Sequence, residues 1–138
     1  MREILEVAAV QRIVEQASPI HAATLRELAL KCDNVAVEEP DNSELFAQRH
    51  FDYHHYIAEA DGSPLLMATL DRIQLRTMML FNAKRGWGRG LDRVQHVKLT
   101  EELLSGDLQR AETAVREHVR RGLHHELVAI GTAAEPAA

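Results

Sequence analysis

The chain has 138 residues, a formal net charge of −5 with neutral histidines, and 46% hydrophobic residues. This composition suits one compact domain with a buried core and excludes a disordered chain. Sixteen Lys and Arg residues against 21 Asp and Glu residues, without a dense basic run, exclude nucleic-acid binding through the chain's own surface. The single cysteine, Cys32, excludes an internal disulfide and is expected to be a small buried hydrophobe. Because no signal peptide or long apolar run occurs, we expect a cytoplasmic protein without membrane contact.

Helical periodicity runs through the sequence, and no segment alternates like a strand. The first predicted helix ends before Ser18-Pro19, a pair that favours the start of a second helix because serine caps and proline fits the first turn. The second helix is predicted to run to about Cys32. The polar residues 33 to 42 are then predicted to form a surface connection.

A third helix is predicted from Ser43 to Asp61, ended by Gly62. Ser63-Pro64 repeats the start signal for a fourth helix, which is predicted to end near Phe81. The glycine-rich residues 84 to 90 read as a flexible connector.

A fifth helix is predicted from Leu91 to Leu104, and Asp107 is predicted to cap a sixth. Residues 1 to 130 are predicted to form one domain, and residues 131 to 138 a flexible tail. These elements predict an all-α, antiparallel bundle of about six helices with a central cavity for a ligand or a metal.

Four histidines fall on three of the predicted helices. His50 and His54 lie one turn apart on the third helix, His96 lies in the fifth and His118 in the sixth. If these helices are neighbours, the imidazoles can converge on one divalent metal at about 2.0–2.1 Å. A hydrogen-bonded core without metal is the alternative, because eight histidines in 138 residues often produce such spacing by chance. His21, His55, His124 and His125 are expected to face solvent, and Tyr53 to pack in the core.

Three motifs carry a resemblance to a known family. The run Tyr53-His54 followed by residues 57 to 66, IAEADGSPLL, resembles the central segment of the FCD domain, the effector-binding C-terminal domain of FadR-type GntR transcription regulators. His96, Gly106-Asp107 and His118 are similar to the family's closing pattern, and residues 2 to 6, REILE, resemble its first helix. The three motifs occur in the family's order over about residues 2 to 125.

The resemblance implies a set of metal ligands. FCD domains commonly hold a divalent metal with one Asp and three His, and the three histidines match His54, His96 and His118. At the position of the Asp this chain has His50, which removes a negative charge and favours zinc or nickel. Asp52 lies two residues out of register and is expected to be a neighbour of the site. A pocket without metal remains an alternative.

The resemblance also implies a sensor. A small organic acid is expected to bind in the cavity, with Arg2 at the position of the family's acid-binding arginine and Arg72 and Arg76 as further candidates. Effector binding in a homodimer would then change the spacing of attached DNA-binding heads. The family's N-terminal winged helix does not occur in this sequence, so contact with DNA is expected only through such a separate domain. A metal-dependent helical-bundle enzyme and a metal-free dimerisation module are the competing interpretations.

Overall fold

The computed structural model describes residues 2–72, 75–84 and 95–129, and these residues form seven α-helices and no strand. The predicted all-α class is therefore confirmed. The helices in chain order are α1 (Arg2–Gln16), α2 (Pro19–Glu38), α3 (Ser43–Asp61), α4 (Pro64–Arg72), α5 (Leu75–Lys84), α6 (Gln95–Leu103) and α7 (Leu108–Ala129).

Local capping signals fix several helix ends where the sequence predicted them. The Ser18 hydroxyl accepts the backbone N–H of His21 at the start of α2, and Asn42 caps α3 in the same way. Gly62 ends α3 at φ 69°, in the left-handed region that glycine tolerates best. The carboxylate of Asp107 accepts the backbone N–H of Arg110 and starts α7.

The predicted connection over residues 33 to 42 is wrong in its first half. Helix α2 continues to Glu38, six residues beyond its predicted end. Asp33, which looked like a surface residue, is only 3% exposed. Its carboxylate is buried because it accepts the first backbone N–H groups of α6, from His96 and Val97. A contact with a distant helix therefore determines the conformation of this polar segment.

The described residues form seven helical segments, against about six predicted helices. Both α4 and α5 fall on the predicted fourth helix, and residues 73 and 74 between them are outside the described part of the chain. Residues 85–94, which include the predicted connector and the predicted start of the fifth helix, also lie outside it. The predicted tail, residues 131 to 138, also lies outside the described part of the chain.

Helix α3 lies at the centre of the packing. It contacts α1, α2 and α5, while α1 packs against α7, and α6 packs against both α2 and α7. Tyr53 of α3 is fully buried and its hydroxyl is 2.9 Å from that of Thr100 on α6. This confirms the predicted core role of Tyr53, and Cys32 is likewise fully buried. In the described part of the chain, none of the helices combines the length and the apolar character that crossing a membrane requires.

Candidate metal centre

The four histidines singled out from the sequence meet in the interior. His50 and His54 come from α3, His96 from α6 and His118 from α7, and all are 1% to 3% exposed. One ring nitrogen of each lies within 4.8 Å of the corresponding nitrogen of every other. The structure thus brings together all four residues of the predicted ligand set.

His54 lies at the middle of this cluster. Its Nε2 atom is 3.1 Å from Nε2 of His50 and 3.0 Å from Nε2 of His118. Two nitrogens that both lie about 2.0–2.1 Å from a zinc ion are separated by about 2.9 Å in octahedral and about 3.4 Å in tetrahedral geometry. These two separations therefore match those between ligands of one metal ion.

A buried carboxylate on α1 orients the His54 ring. Oε2 of Glu6 is 2.9 Å from Nδ1 of His54, and Arg2 donates to the other oxygen of Glu6 at 2.6 Å. Burial raises the pKa of Glu6, but the charges of Arg2 and His54 outweigh burial and bring it down to about 2. The charged carboxylate accepts a hydrogen bond, so Nδ1 of His54 carries the proton. The lone pair of Nε2 consequently faces the cluster.

His96 is oriented in the same manner from another helix. Oδ1 of Asp33 on α2 is 2.9 Å from Nδ1 of His96 and also accepts the backbone N–H of that residue. Nε2 of His96 is therefore the nitrogen left for a metal, and the Cys32 thiol lies 3.9 Å from it. Carboxylate–histidine pairs of this kind are typical of metal ligands, because they fix both the tautomer and the orientation of the ring.

The surroundings keep the imidazoles of His50, His54 and His118 neutral. Burial, together with neighbouring histidines and Arg2, holds the pKa of His50 and of His118 well below the ordinary value of 6.5. Burial lowers the pKa of His54 to about 4, although the nearby Glu6 carboxylate acts in the opposite direction. Neutral rings leave a nitrogen lone pair available near pH 7, as a metal ligand requires.

The donor set fits a divalent cation. Nδ1 of His50 and Nδ1 of His118 are buried and have no hydrogen-bond partner among the described residues. A cation held by Nε2 atoms would not contact these two Nδ1 atoms, so the fit comes from the inward nitrogens. Nε2 of His54 carries no proton and has one lone pair, so it can accept a hydrogen bond from only one of His50 and His118. A cation among the four rings would satisfy the inward nitrogens. The carboxylates of Glu6 and Asp33, which contact the rings of His54 and His96, would balance its charge.

The residues around the four histidines were only partly predicted. The roles of Glu6 and Asp33 were not predicted from the sequence, although Glu6 belongs to the REILE motif. The spacing of Arg2 and Glu6, one helical turn, was the available signal for a paired carboxylate. Asp52 pairs with Gln48 and Arg49 beside the site, in agreement with its expected role as a neighbour.

The three arginines proposed to bind an effector have different surroundings. The Arg2 side chain is 11% exposed, and its buried Nη2 atom has no partner among the described residues. It lies beside Gly122 of α7, one turn after His118. Arg72 is exposed, and the guanidinium of Arg76 lies 5.8 Å from the Phe51 ring centroid. Arg2 is thus the one of the three that approaches the histidine cluster.

The other histidines have different exposures. His21 is exposed, as expected, whereas His55 is partly buried against Phe51. The side chains of His124 and His125 lie outside the described part of the structure.

A comparison with protein-family models decides the family. Residues 1–121 match the FCD domain. The chain belongs to the FCD domain family. FCD domains are the ligand-sensing, effector-binding domains of GntR-type regulators, so the family resemblance found in the sequence is confirmed. Neither a curated protein nor a solved structure matches the chain.

Proposed function

We propose that this FCD domain senses a small carboxylic acid with the help of a bound divalent transition metal and thereby controls DNA binding by a separate winged-helix domain. The metal ligands in this proposal are His50, His54, His96 and His118. The observation that carries it is the convergence of four buried imidazoles. Glu6 and Asp33 hold His54 and His96 in the tautomer that has its proton on Nδ1 and its lone pair on Nε2.

The ligand chemistry favours zinc or nickel. Four neutral imidazoles replace the three imidazoles and one carboxylate common in the family, and nitrogen donors suit these metals better than magnesium or manganese. When bound, the cation supplies coordination positions that an oxygen of an acid can occupy. The protein's own part is to fix the four rings and to exclude bulk water from them, as their exposure of 1% to 3% indicates.

Arg2 is the strongest candidate for the contact with the acid. Its Nε atom is engaged by Glu6, while Nη2 is buried and unpaired among the described residues, so one edge of the guanidinium remains for a carboxylate. Arg72 and Arg76 stay weaker proposals, because both are exposed and Arg76 already donates to Gln48.

The metal and the acid would both act on α1. Glu6 joins this helix to His54, and Arg2 lies one turn earlier on the same helix. A ligand that favours one position of α1 over another shifts the population of the two arrangements by its difference in affinity. In the proposed homodimer, this shift would alter the spacing of the two winged-helix domains.

The test is metal retention by histidine variants of the full chain. His96→Ala and His118→Ala should each lower zinc affinity strongly, because each removes one ring nitrogen from the cluster. His21→Ala should leave the affinity unchanged, because that side chain is exposed and lies away from the four rings. Affinity is measured by competition with a chromophoric chelator.

Three results would contradict the proposal. Equal losses in all three variants would mean that other residues bind the metal. A purified chain with no transition metal and no thermal shift on adding zinc or nickel would leave the metal-free module. Turnover of a small substrate by the metal-loaded chain would favour the enzyme.

A further inference from the structure

A cleft between α6 and α7 reaches one of the four histidines. Its volume is about 250 Å³, which is room for a small acid. Helix α6 contributes Lys98 and Leu99 to its walls, and α7 contributes Ala114, His118 and Arg121. No other residue of the histidine cluster lines this cleft. His118 therefore joins the cluster to an opening at the surface.

His118 lacks a hydrogen bond that two of its neighbours have. His54 and His96 each donate Nδ1–H to a buried carboxylate, from Glu6 and Asp33. Nε2 of His118 faces His54, whereas its Nδ1 is buried without a partner among the described residues. Metal-binding histidines almost always donate the second ring N–H to an acceptor. Within the described ranges, the ring that borders the cleft therefore lacks an acceptor for its Nδ1–H.

We propose that the α6–α7 cleft binds the carboxylate of a small organic acid, which accepts a hydrogen bond from Nδ1–H of His118. The acid would thus accept the Nδ1 proton of His118, as Glu6 accepts that of His54. Asp33 has the same role at His96. This inference rests on the proposed metal site and adds a second contact for the acid, in addition to the one proposed for Arg2.

The charges around the cleft suit an anion. Arg121 and Lys98 are exposed cations on its two walls. Glu102 also lines the cleft, but its carboxylate is neutralised by Arg110, which donates to it at 2.9 and 3.0 Å. With Glu117, the lining holds two acidic and two cationic groups, and Arg110, which pairs with Glu102, adds a third cation beside it.

The walls allow an acid to approach the ring. Ala114 has only a methyl group and leaves space beside His118. Nδ1 of His118 is closed to water in the present arrangement, so an incoming carboxylate must displace part of the wall. The exposed Arg121 side chain is long, and its Nε donates to the backbone carbonyl of Glu117 at 3.4 Å, a weak contact that a shift of this side chain would break.

The arrangement requires that acid and metal strengthen each other's binding. An acceptor on Nδ1–H makes Nε2 a better metal ligand, and thermodynamic linkage makes the effect reciprocal. Loss of such an acceptor typically lowers metal affinity by about 10–100-fold. We therefore expect a saturating acid to raise zinc affinity by about 10-fold.

The experiment measures zinc affinity of the full chain by chelator competition, with and without succinate. Succinamide, which has similar size and no charge, is the matched control for the ligand. Succinate should raise zinc affinity about 10-fold and succinamide should not. The response to succinate should be lost in Arg121→Gln, which removes a cation, and in Ala114→Leu, which fills the cleft.

A matched control variant is Arg120→Gln. Arg120 is the neighbouring residue on α7, but its guanidinium pairs with Glu3 of α1 and does not line the cleft. This variant should keep the full response to succinate. The comparison separates a specific contact in the cleft from a general change in surface charge.

Other outcomes overturn the inference. Tight zinc binding that ignores succinate would refute the cleft while leaving the proposed metal site intact. An unchanged response in Arg121→Gln and Ala114→Leu would do the same. If that unchanged response comes with a large change in the visible spectrum of the cobalt-substituted chain, the acid acts through the metal alone. Absence of zinc binding in the unmodified chain would refute the metal site and this inference together.

Discussion

Oε2 of Glu6 lies 2.9 Å from Nδ1 of His54, although 48 residues separate them in the sequence. This contact ties α1 to the middle of the histidine cluster, because Nε2 of the same His54 ring faces both His50 and His118. The first helix is therefore part of the candidate site, even though it contributes none of the four ring nitrogens.

Replacing Glu6 by glutamine should weaken metal binding without emptying the site. Glu6→Gln keeps the size of the side chain but removes the charge that fixes the His54 tautomer and pairs with Arg2. We expect zinc affinity to fall by about 10–100-fold in a chelator competition. Glu3→Gln is the control, because Glu3 lies on the same helix and pairs with Arg120 at the surface. Equal effects of the two substitutions would contradict a role for Glu6 at His54.

Asp33→Asn should affect both stability and metal binding. Asp33 accepts the first N–H groups of α6 and the His96 ring, so an amide there loses at least one charge-assisted hydrogen bond. We expect a loss of about 1–2 kcal/mol in the free energy of unfolding, measured by urea denaturation. Zinc affinity should fall together with stability.

The matched control for this change is Asp107→Asn. Asp107 also caps a helix, but it is exposed, and its carboxylate accepts the backbone N–H of Arg110. Asparagine is an equally good cap, so stability and zinc affinity should stay nearly constant. The role assigned to Asp33 would be refuted by a variant that loses stability yet retains zinc as tightly as the unmodified chain.

His50→Asp should change the metal preference. A carboxylate at this position adds a negative charge and an oxygen donor, which suit manganese better than imidazole does. We expect the affinity for manganese relative to zinc to rise by on the order of 10-fold. His50→Ala, which removes the ligand, should weaken both metals. An unchanged ratio in His50→Asp would show that His50 does not bind the metal.

The metal-free chain should lose stability as the pH falls from neutral. In the folded state the pKa of His54 is about 4, below its ordinary value of 6.5, so the unfolded chain takes up the proton first. The stability that neutral His54 contributes is present above pH 6.5 and is lost as the pH falls towards 4. The pKa of Glu6, lowered from 4.5 to about 2, extends the loss in the same direction at lower pH.

The loss is measured by urea denaturation in the presence of a chelator at several pH values. Each of these two pKa shifts corresponds to a change of at most about 3 kcal/mol in the free energy of unfolding. The urea midpoint should therefore be lower at pH 5 than at pH 7.5. His21→Ala should show the same dependence, because that side chain is exposed. A midpoint that is constant over this range would show that the buried histidines do not resist protonation.

Local signals explain what the sequence could predict. Ser18-Pro19, Gly62 and Asp107 define helix ends through contacts within a few residues, and the structure has helix ends at these positions. The histidine cluster was predictable for a related reason. His50 and His54 lie one turn apart, and the family motifs provided His96 and His118.

The features that the sequence analysis missed depend on distant contacts. Asp33 is buried because it contacts His96 in the first turn of α6, 63 residues later in the sequence, and no local pattern indicates this contact. Distant contacts also accompany the continuation of α2 to Glu38. The pairing of Glu6 with His54 is another contact between helices far apart in the sequence. A polar side chain is usually expected at the surface. The carboxylates of Glu6 and Asp33 are buried because each has charged or N–H partners in the interior.

A donor set made of four imidazoles has an evolutionary consequence. In the proposed site, Glu6 and Asp33 supply the nearest negative charge, and neither belongs to the histidine set. Selection can therefore retune the cation that the domain prefers, and how firmly it is held, through substitutions on α1 and α2. The coordinating residues themselves need not change.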